Sequence, residues 1–425
     1  MSFVYPLYSA DVRLLFVTRA IRLFAYGFLA LILWLYLAEL GLTAPRIGLL
    51  LTMTLLGDVL VSLPITATAD RVGRKWMLIV GAVLMAAAGA VFLSTDDFLL
   101  LLVAATIGVI SPSGNEVGPF LAIEQAALAQ VVTAERRTRV FAWYSLTGSL
   151  ATAFGALLCG LTVQGLHDYA GLTKLESYRA VLWVYAGVGV LLAILFTRLS
   201  RAAEVHAPPA ERPAEGPPPR RTFLGLHRSR GVVFGLAALF ALDAFAGGFV
   251  IQSAMVEWFQ VRFGADAATL GVIFWAANFL AGFSALAAAA VARRVGLLRT
   301  MVYTHAPSNV LLILVPLMPN LPLAVAVLLL RFAISQMDVP ARQSYTAALV
   351  SPDERSAAAG VTGVARTAGA SLSPYLVGLL LAPELAPMGW PFIISGALKL
   401  VYDGLVYWRF RAAVPPEEKR PARKG

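Results

Sequence analysis

Thr66-Ala67-Thr68-Ala69-Asp70-Arg71-Val72-Gly73-Arg74-Lys75 joins two apolar runs, residues 47–69 and 76–94. Each run is long enough to cross a bilayer as a helix. The charged link leaves room only for a tight turn at a membrane surface. Gly73 supplies the backbone freedom that such a turn needs. Arg71, Arg74 and Lys75 sit where positive charge marks the cytoplasmic side, and Asp70 is close enough in sequence to pair with one of them.

Apolar runs recur along almost the whole chain. It is 59% hydrophobic and 14% charged, where a soluble protein carries about 25% charged residues. The fold class that follows is an all-α polytopic membrane protein. A β-barrel is excluded because the runs do not alternate apolar and polar residues. The net charge of +10 is not a nucleic-acid footprint, because the cations lie in the links between apolar runs, where topology requires them. A single cysteine, Cys159, excludes a disulfide framework and a cysteine-rich metal site. The first apolar run carries Arg13, Arg19 and Arg22 and is too long for a cleavable signal.

Twelve spans are expected, at 13–40, 47–69, 76–94, 98–116, 140–164, 178–199, 231–259, 267–292, 300–317, 323–344, 357–382 and 389–411. The fourth is expected to run on past Glu116, bent by Pro112 and Pro119. Lys and Arg number 23 in the even links and carboxyl tail against 3 in the odd links. That asymmetry places both termini in the cytoplasm. Residues 200–230, with Pro208-Pro209 and Pro217-Pro218-Pro219 among charges, read as a disordered cytoplasmic linker. The domains expected are a six-helix bundle over 1–199, the linker, a second bundle over 231–411 and a tail over 412–425.

The two bundles repeat one another. Phe24-Ala25-Tyr26-Gly27-Phe28 matches Phe245-Ala246-Gly247-Gly248-Phe249, and Arg71-Val72-Gly73 matches Arg294-Val295-Gly296. Residues Val132 to Thr138 match Val350 to Ser356. The offsets are 221, 223 and 218 in the same order along the chain. The 66–75 stretch resembles the loop between helices 2 and 3 of the major facilitator superfamily: Gly, three residues, Asp, a basic residue, any residue, Gly, any residue, two basic residues. Thr66 departs from the first Gly of that pattern; Asp70, Arg71, Gly73, Arg74 and Lys75 match it. With two parallel six-helix repeats and a cytoplasmic linker, the whole chain resembles this superfamily of secondary transporters.

Charged residues inside spans face a cavity or a partner. Arg19 and Arg22 share a face of helix 1, and the repeat places Asp243 of helix 7 opposite Arg22 in register. The resemblance implies that helices 1 and 7 line a central cavity. Two readings stay open: Arg22 and Asp243 bind substrate or exchange a proton, or they form a static ion pair. Helix 4 carries Asn115, Glu116, Glu124 and Gln125; helix 10 carries Arg331, Gln336, Asp338 and Arg342. In the family the cytoplasmic halves of helices 4, 5, 10 and 11 close an inner gate. A Glu124–Arg342 contact would be such a gate, unless Arg342 pairs only with Asp338, four residues away. The family often has an Arg in helix 4, where the repeat puts Ser113 against Arg331. Glu116 and Asp243 are then the candidate proton carriers. Gln252, Trp275 and Asn278 complete the expected substrate path, with Trp275 and Asn278 as cavity wall. His305 and Asn309, four apart on a helix that is peripheral in the family, read as structural.

The reading is a secondary transporter that moves a small solute by alternating access, as proton-coupled efflux. Gly155-Ala156-Leu157-Leu158-Cys159-Gly160 is a degraded form of the family's antiporter signature, and close helix packing explains it equally well. The alternatives are a carrier of an anionic solute, for which Arg19, Arg22, Arg331 and Arg366 argue, or a non-transporting channel or sensor. No enzyme motif is present in the sequence. The expected partners are the bilayer and a small-molecule substrate, with no nucleic acid, no cofactor beyond a proton gradient, a monomeric state and a bacterial cell membrane.

Overall fold

The structure is a computed structural model that describes residues 9–132, 134–204, 226–351 and 354–412, without the side chains of 134–139 and 356. The side chains of the cations Arg136, Arg137 and Arg139, most of the linker and the tail lie outside what the structure describes. Fifteen helices are described: α1 (Ala10–Glu39), α2 (Ala44–Val72), α3 (Arg74–Ser94), α4 (Phe98–Ile107), α5 (Phe120–Val131), α6 (Ala134–Asp168), α7 (Lys174–Phe196), α8 (Arg230–Gly248), α9 (Gln252–Phe263), α10 (Ala267–Val295), α11 (Leu297–Leu314), α12 (Leu321–Ser335), α13 (Asp338–Leu349), α14 (Arg355–Leu380) and α15 (Trp390–Phe410). Among the described residues nine segments are long and apolar enough to cross a membrane, counting α8 with α9 and α12 with α13 each as one span broken in the middle, and α4 and α5 are shorter apolar helices.

The fourth span does not run on past Glu116 as one bent helix. It stops at Ile107 and resumes at Phe120. Pro112 and Pro119 remove backbone donors there, and Gly114 and Gly118 take φ of +71° and +81°. In the tenth span the break falls at Gln336 and Met337, before Pro340, because a proline fits the first turn of the next helix. Irregular backbone at membrane depth is tolerated where protein buries it or where it lines a cavity.

The chain divides into two compact units. The first holds 1–211, 251–279 and 377–387; the second holds 212–250, 280–376 and 388–425. In the first, α1 is buried on all sides and is its central helix. It packs closely on α6, where Gly27 lies against the backbone of Thr152 and Gly155 against the backbone of Phe24. Gly89 on Ala186 and Gly189 on Ala86 bring α3 and α7 together in the same way. In the second unit Leu236, Phe240, Met301, Val302, Tyr345, Val406 and Phe410 form one apolar core. Exposed apolar side chains such as Leu60, Val83, Val103, Leu191, Leu330 and Leu372 form the surface that lipid covers. Trp76, Trp183 and Trp408 are also exposed.

The 66–75 stretch turns as its sequence requires. Gly73 has φ of +118°, and its repeat equivalent Gly296 has φ of +91°. Asp70 pairs with Arg74 at 2.8 Å, while Arg71 is exposed. The buried Arg74 guanidinium also donates to Gln130 at 2.8 Å and to the Ala203 carbonyl at 3.1 Å. The Glu204 carboxylate accepts from the N–H groups of Arg74 and Lys75, at 2.7 and 3.0 Å. A negative charge is favourable at that helix start. Residues Arg201–Ala203 form a short 3-10 turn, so the first residues of the sequence-expected linker are seated on the signature turn.

Glu354 does the same for α8. Its carboxylate accepts from the N–H groups of His227, of Arg228 at 2.8 Å and of Ser229 at 2.9 Å. Burial pushes this carboxyl up, but the backbone donors and the Ser229 hydroxyl outweigh it and hold the group at about 2.

Candidate functional site

Each unit contains a buried cluster of charges. In the first, Arg22 of α1 meets Glu124 of α5 fork to fork, Nη1 to Oε1 at 2.7 Å and Nη2 to Oε2 at 2.6 Å. Neither side chain is exposed. Arg22 Nε also donates to Glu116 Oε1 at 3.0 Å, and Arg19 Nη1 donates to Glu116 Oε2 at 2.7 Å. Glu116 reaches both because it lies in the non-helical break between α4 and α5. Arg19 Nε donates to the Tyr144 carbonyl at 2.8 Å, and the Tyr144 hydroxyl donates to Glu124. The two guanidiniums lie over aromatic faces, Arg19 over Tyr144 and Arg22 over Phe120. Two cations thus meet two carboxylates, and their charges balance.

The second cluster centres on Asp243 of α8. Lys399 Nζ lies 2.6 Å from Oδ1, and Arg342 Nη1 lies 2.8 Å from Oδ2. Arg366 Nη1 stands 3.6 Å from Oδ2, and His305 Nε2 stands 3.7 Å from Oδ1. Arg342 also faces Asp338 at 3.3 Å. Behind His305, Nδ1 is 2.8 Å from Asp403 Oδ1, and Asn309 donates to Asp403 Oδ2 at 3.0 Å. Arg331 is buried within electrostatic reach of Asp338 and Asp243, and its Nε has no hydrogen-bond partner among the described residues. Four cations here face three carboxylates.

The two clusters are related by the repeat. The offset of 221 carries Arg22 onto Asp243, and the offset of 218 carries Glu124 onto Arg342. The same contact is made in both units with its charges exchanged. The pairs formed within each unit differ from the two contacts weighed from sequence. Arg22 and Asp243, read as partners of one another, each take their ion pairs within their own unit. Glu124 and Arg342, read as an inner gate, are engaged by Arg22 and by Asp243 with Asp338. Burial is the physical reason: a charge in the interior needs a close partner, and each unit supplies one.

Other expected residues are placed as follows. Gln252 Oε1 accepts from Asn278 Nδ2 at 2.9 Å. Gln252 Nε2, Ser253 Oγ and Trp275 Nε1 have no hydrogen-bond partner among the described residues. Asn115 is exposed; its carbonyl accepts from the Ser111 hydroxyl at 2.7 Å and its N–H donates to Ser113 Oγ at 3.4 Å. Gln336 sits at the break before α13, where its N–H donates to Ser284 Oγ at 3.3 Å. Lys399 and Asp403 were not singled out in the sequence, and Tyr144, as a packing aromatic, and His305, as structural, were set aside. The spacing of Lys399 and Asp403, four apart on one face of α15, was the available signal. Among the described residues no group of His, Cys, Asp and Glu is arranged to hold a metal ion. A recess of about 370 Å³ in the first unit, between Trp34, Ile47, Glu257, Val261 and Leu381, holds none of the expected site residues.

A sequence model of the family described as the Major Facilitator Superfamily matches residues 15–374. The chain is 31% identical over 419 residues to an uncharacterized membrane protein of Saccharomyces cerevisiae, YJR124C, with 93% of each chain covered. Among solved structures it resembles a bacterial homologue of the human lysosomal transporter Spinster, at a TM-score of 0.72 and 15% identity, over 96% of this chain and 98% of that one. It also resembles the nucleoside transporter NupG, at a TM-score of 0.70 and 13% identity, over 95% of this chain and 100% of that one.

Proposed function

The chain belongs to the Major Facilitator Superfamily and is an integral membrane transporter, and we propose that it moves a small solute by alternating access, exporting it in exchange for protons. The observation that carries this reading is the buried Asp243 cluster. It places one carboxylate among Lys399, Arg342 and Arg366, next to a histidine, on the helix that repeats α1. Intramembrane ionisable groups of this kind form proton relays and substrate paths. The balanced Arg22–Glu124–Glu116 cluster is then the static partner, and the Asp243 cluster is the one that changes charge during transport. Gly160 lies against Ala267 and Gly271, so close packing on α10 accounts for the antiporter-like segment of α6, and export is carried over from the family resemblance of that segment. Both termini are cytoplasmic in this reading, on the Lys and Arg asymmetry of the links.

A specific observation also favours an anionic solute. The second cluster has one cation in excess, and the buried Arg331 Nε has no partner among the described residues. A carboxylate or oxyanion would balance that charge and satisfy that donor.

The experiment is a thermal-shift screen of small solutes on purified protein, followed by flux of each ligand found in proteoliposomes with and without a pH gradient. A binding ligand raises the apparent stability. Saturable flux accelerated by a proton gradient supports the reading; non-saturable flux that ignores the gradient overturns it in favour of a channel.

A further inference from the structure

The two oxygens of Asp243 are held differently. Oδ2 is shared by Arg342 at 2.8 Å and Arg366 at 3.6 Å. Oδ1 is bound by Lys399 at 2.6 Å and faced by His305 Nε2 at 3.7 Å. The other nitrogen of His305 lies 2.8 Å from Asp403 Oδ1. The imidazole therefore stands between two buried carboxylates, one nitrogen toward each. Tyr402 of α15 meets the ring edge-on, with centroids 5.8 Å apart, and Asn309 Nδ2, one turn further along α11, is 3.1 Å from Nδ1. The remaining charges of the cluster are Arg331 on α12, Asp338 and Arg342 on α13, and Arg366 on α14.

We propose that His305 carries the coupled proton between Asp403 and Asp243, an assignment that rests on the proton-coupled reading above. A buried neutral imidazole has one donor and one acceptor nitrogen, and each needs a partner. This ring has a carboxylate on each side, and histidine is the side chain whose ordinary titration falls near neutral pH. The proton of a protonated Asp403 passes to His305 Nδ1 as the Nε2 proton passes to Asp243 Oδ1. The histidine is neutral before and after. Asp403 ends as a carboxylate accepting from Nδ1–H, and Asp243 ends neutral. One proton has moved and no other bond has changed.

The gap at Nε2 sets the gate. At 3.7 Å it is beyond hydrogen-bond range, and Lys399 holds the receiving oxygen. The transfer displaces Lys399 from Oδ1 as Nε2 closes on that oxygen. Once Asp243 is neutral, it no longer holds Lys399 and Arg342 by charge. Proton arrival and release of the α8, α13 and α15 contacts are in this way a single event.

The test uses the proton itself as probe. Proteoliposomes of the full chain on a solid-supported membrane receive a pH step, and the transient charge displacement is recorded. Wild type gives a transient. His305→Gln lowers its amplitude at least tenfold. Asp403→Asn slows it about tenfold, and Asp403→Glu restores the rate, which a merely structural Asp403 would not do. Undiminished amplitude in His305→Gln beside a wild-type transient overturns the relay and leaves proton coupling standing. Absence of a transient in wild type overturns both. If His305→Gln does not fold, Asp403→Asn decides alone, and an unchanged rate there overturns the relay.

Discussion

Arg22 and Glu124 form a two-bonded ion pair, at 2.6 and 2.7 Å, with neither side chain exposed. Its repeat image is Asp243 with Arg342, at 2.8 Å, with the charges reversed. Placing charges in an apolar interior costs several kcal/mol per ion, and a matched partner offsets that cost only when the geometry is good. Each six-helix repeat has kept the contact and exchanged its sign. The pair in the first unit is closed by Glu116 and Tyr144, whereas the pair in the second is surrounded by further cations.

Removing one member of the first pair should strand the other. Arg22→Met should destabilise the purified protein by about 3–5 kcal/mol, the range for breaking a buried pair. Glu124→Leu should cost a similar amount. The double variant should be more stable than the two losses added together, by about 1–3 kcal/mol. Unfolding in detergent measures all three. Strictly additive losses would show that the pair is not coupled.

Arg74 and Asp70 in the signature turn should behave unequally. Asp70 is largely exposed, so Asp70→Asn should change stability by no more than about 1 kcal/mol. Arg74 is buried, and its planar fork serves Asp70, Gln130 and the Ala203 carbonyl at once. A lysine cannot reproduce that fork. Arg74→Lys should therefore lower the melting temperature clearly more than Asp70→Asn. The reverse order in a melting assay would contradict the role given to the fork.

The sequence carried the fold well because two strong signals agreed. Hydropathy located the spans, and the Gly73 and Gly296 turns fell where the repeat put them. The helix breaks were half visible. Pro112 and Pro119 announced the one in the fourth span, but the break after Gly248 contains no proline. The charged residues were legible only in part: Arg22, Glu124, Asp243 and Arg342 stood out, whereas Lys399 and Asp403 inside the last span did not. Their pairing was not legible. Register along one helix is readable from spacing, but which neighbouring helix supplies a partner depends on packing across distant segments. Glu116 and Lys399 show this: each meets its partner only through tertiary structure, 94 residues from Arg22 and 156 from Asp243.

Acid should undo one contact selectively. The Glu354 carboxyl is held at about 2, below the ordinary glutamate value of about 4.3. A lowered folded-state value adds stability that is complete above the unfolded value and is lost as pH falls toward the folded one. Glu354→Gln should therefore melt below wild type at pH 7, by a constant margin down to about pH 5. The margin should narrow as pH falls from there toward 2. Melting curves of both proteins from pH 7 to 3 test this, and a margin that widens in acid would refute it.

Helix contact in the first unit should tolerate no added carbon at Gly27. A Cβ there would lie 2.1 Å from the carbonyl oxygen of Thr152, and its neighbours are backbone atoms that cannot rotate away. The α1 and α6 axes would have to separate. That movement would also loosen Thr152, whose hydroxyl donates to the Leu23 carbonyl at 3.3 Å and the Gly114 carbonyl at 3.1 Å. It would disturb Arg19 as well, because its guanidinium lies against Gly148 of the same α6 face. Overpacking costs about 1–3 kcal/mol where neighbours can adjust, and a backbone clash belongs at the upper end or beyond. Gly187 of α7 provides the control, since a Cβ there meets nothing within 4 Å. Alanine is favoured over glycine by about 1 kcal/mol in a helix interior. Gly187→Ala should thus be neutral or stabilising, while Gly27→Ala should unfold at lower temperature and yield less folded protein after detergent extraction. Equal melting temperatures for the two variants would mean that the α1–α6 contact is looser than these distances require.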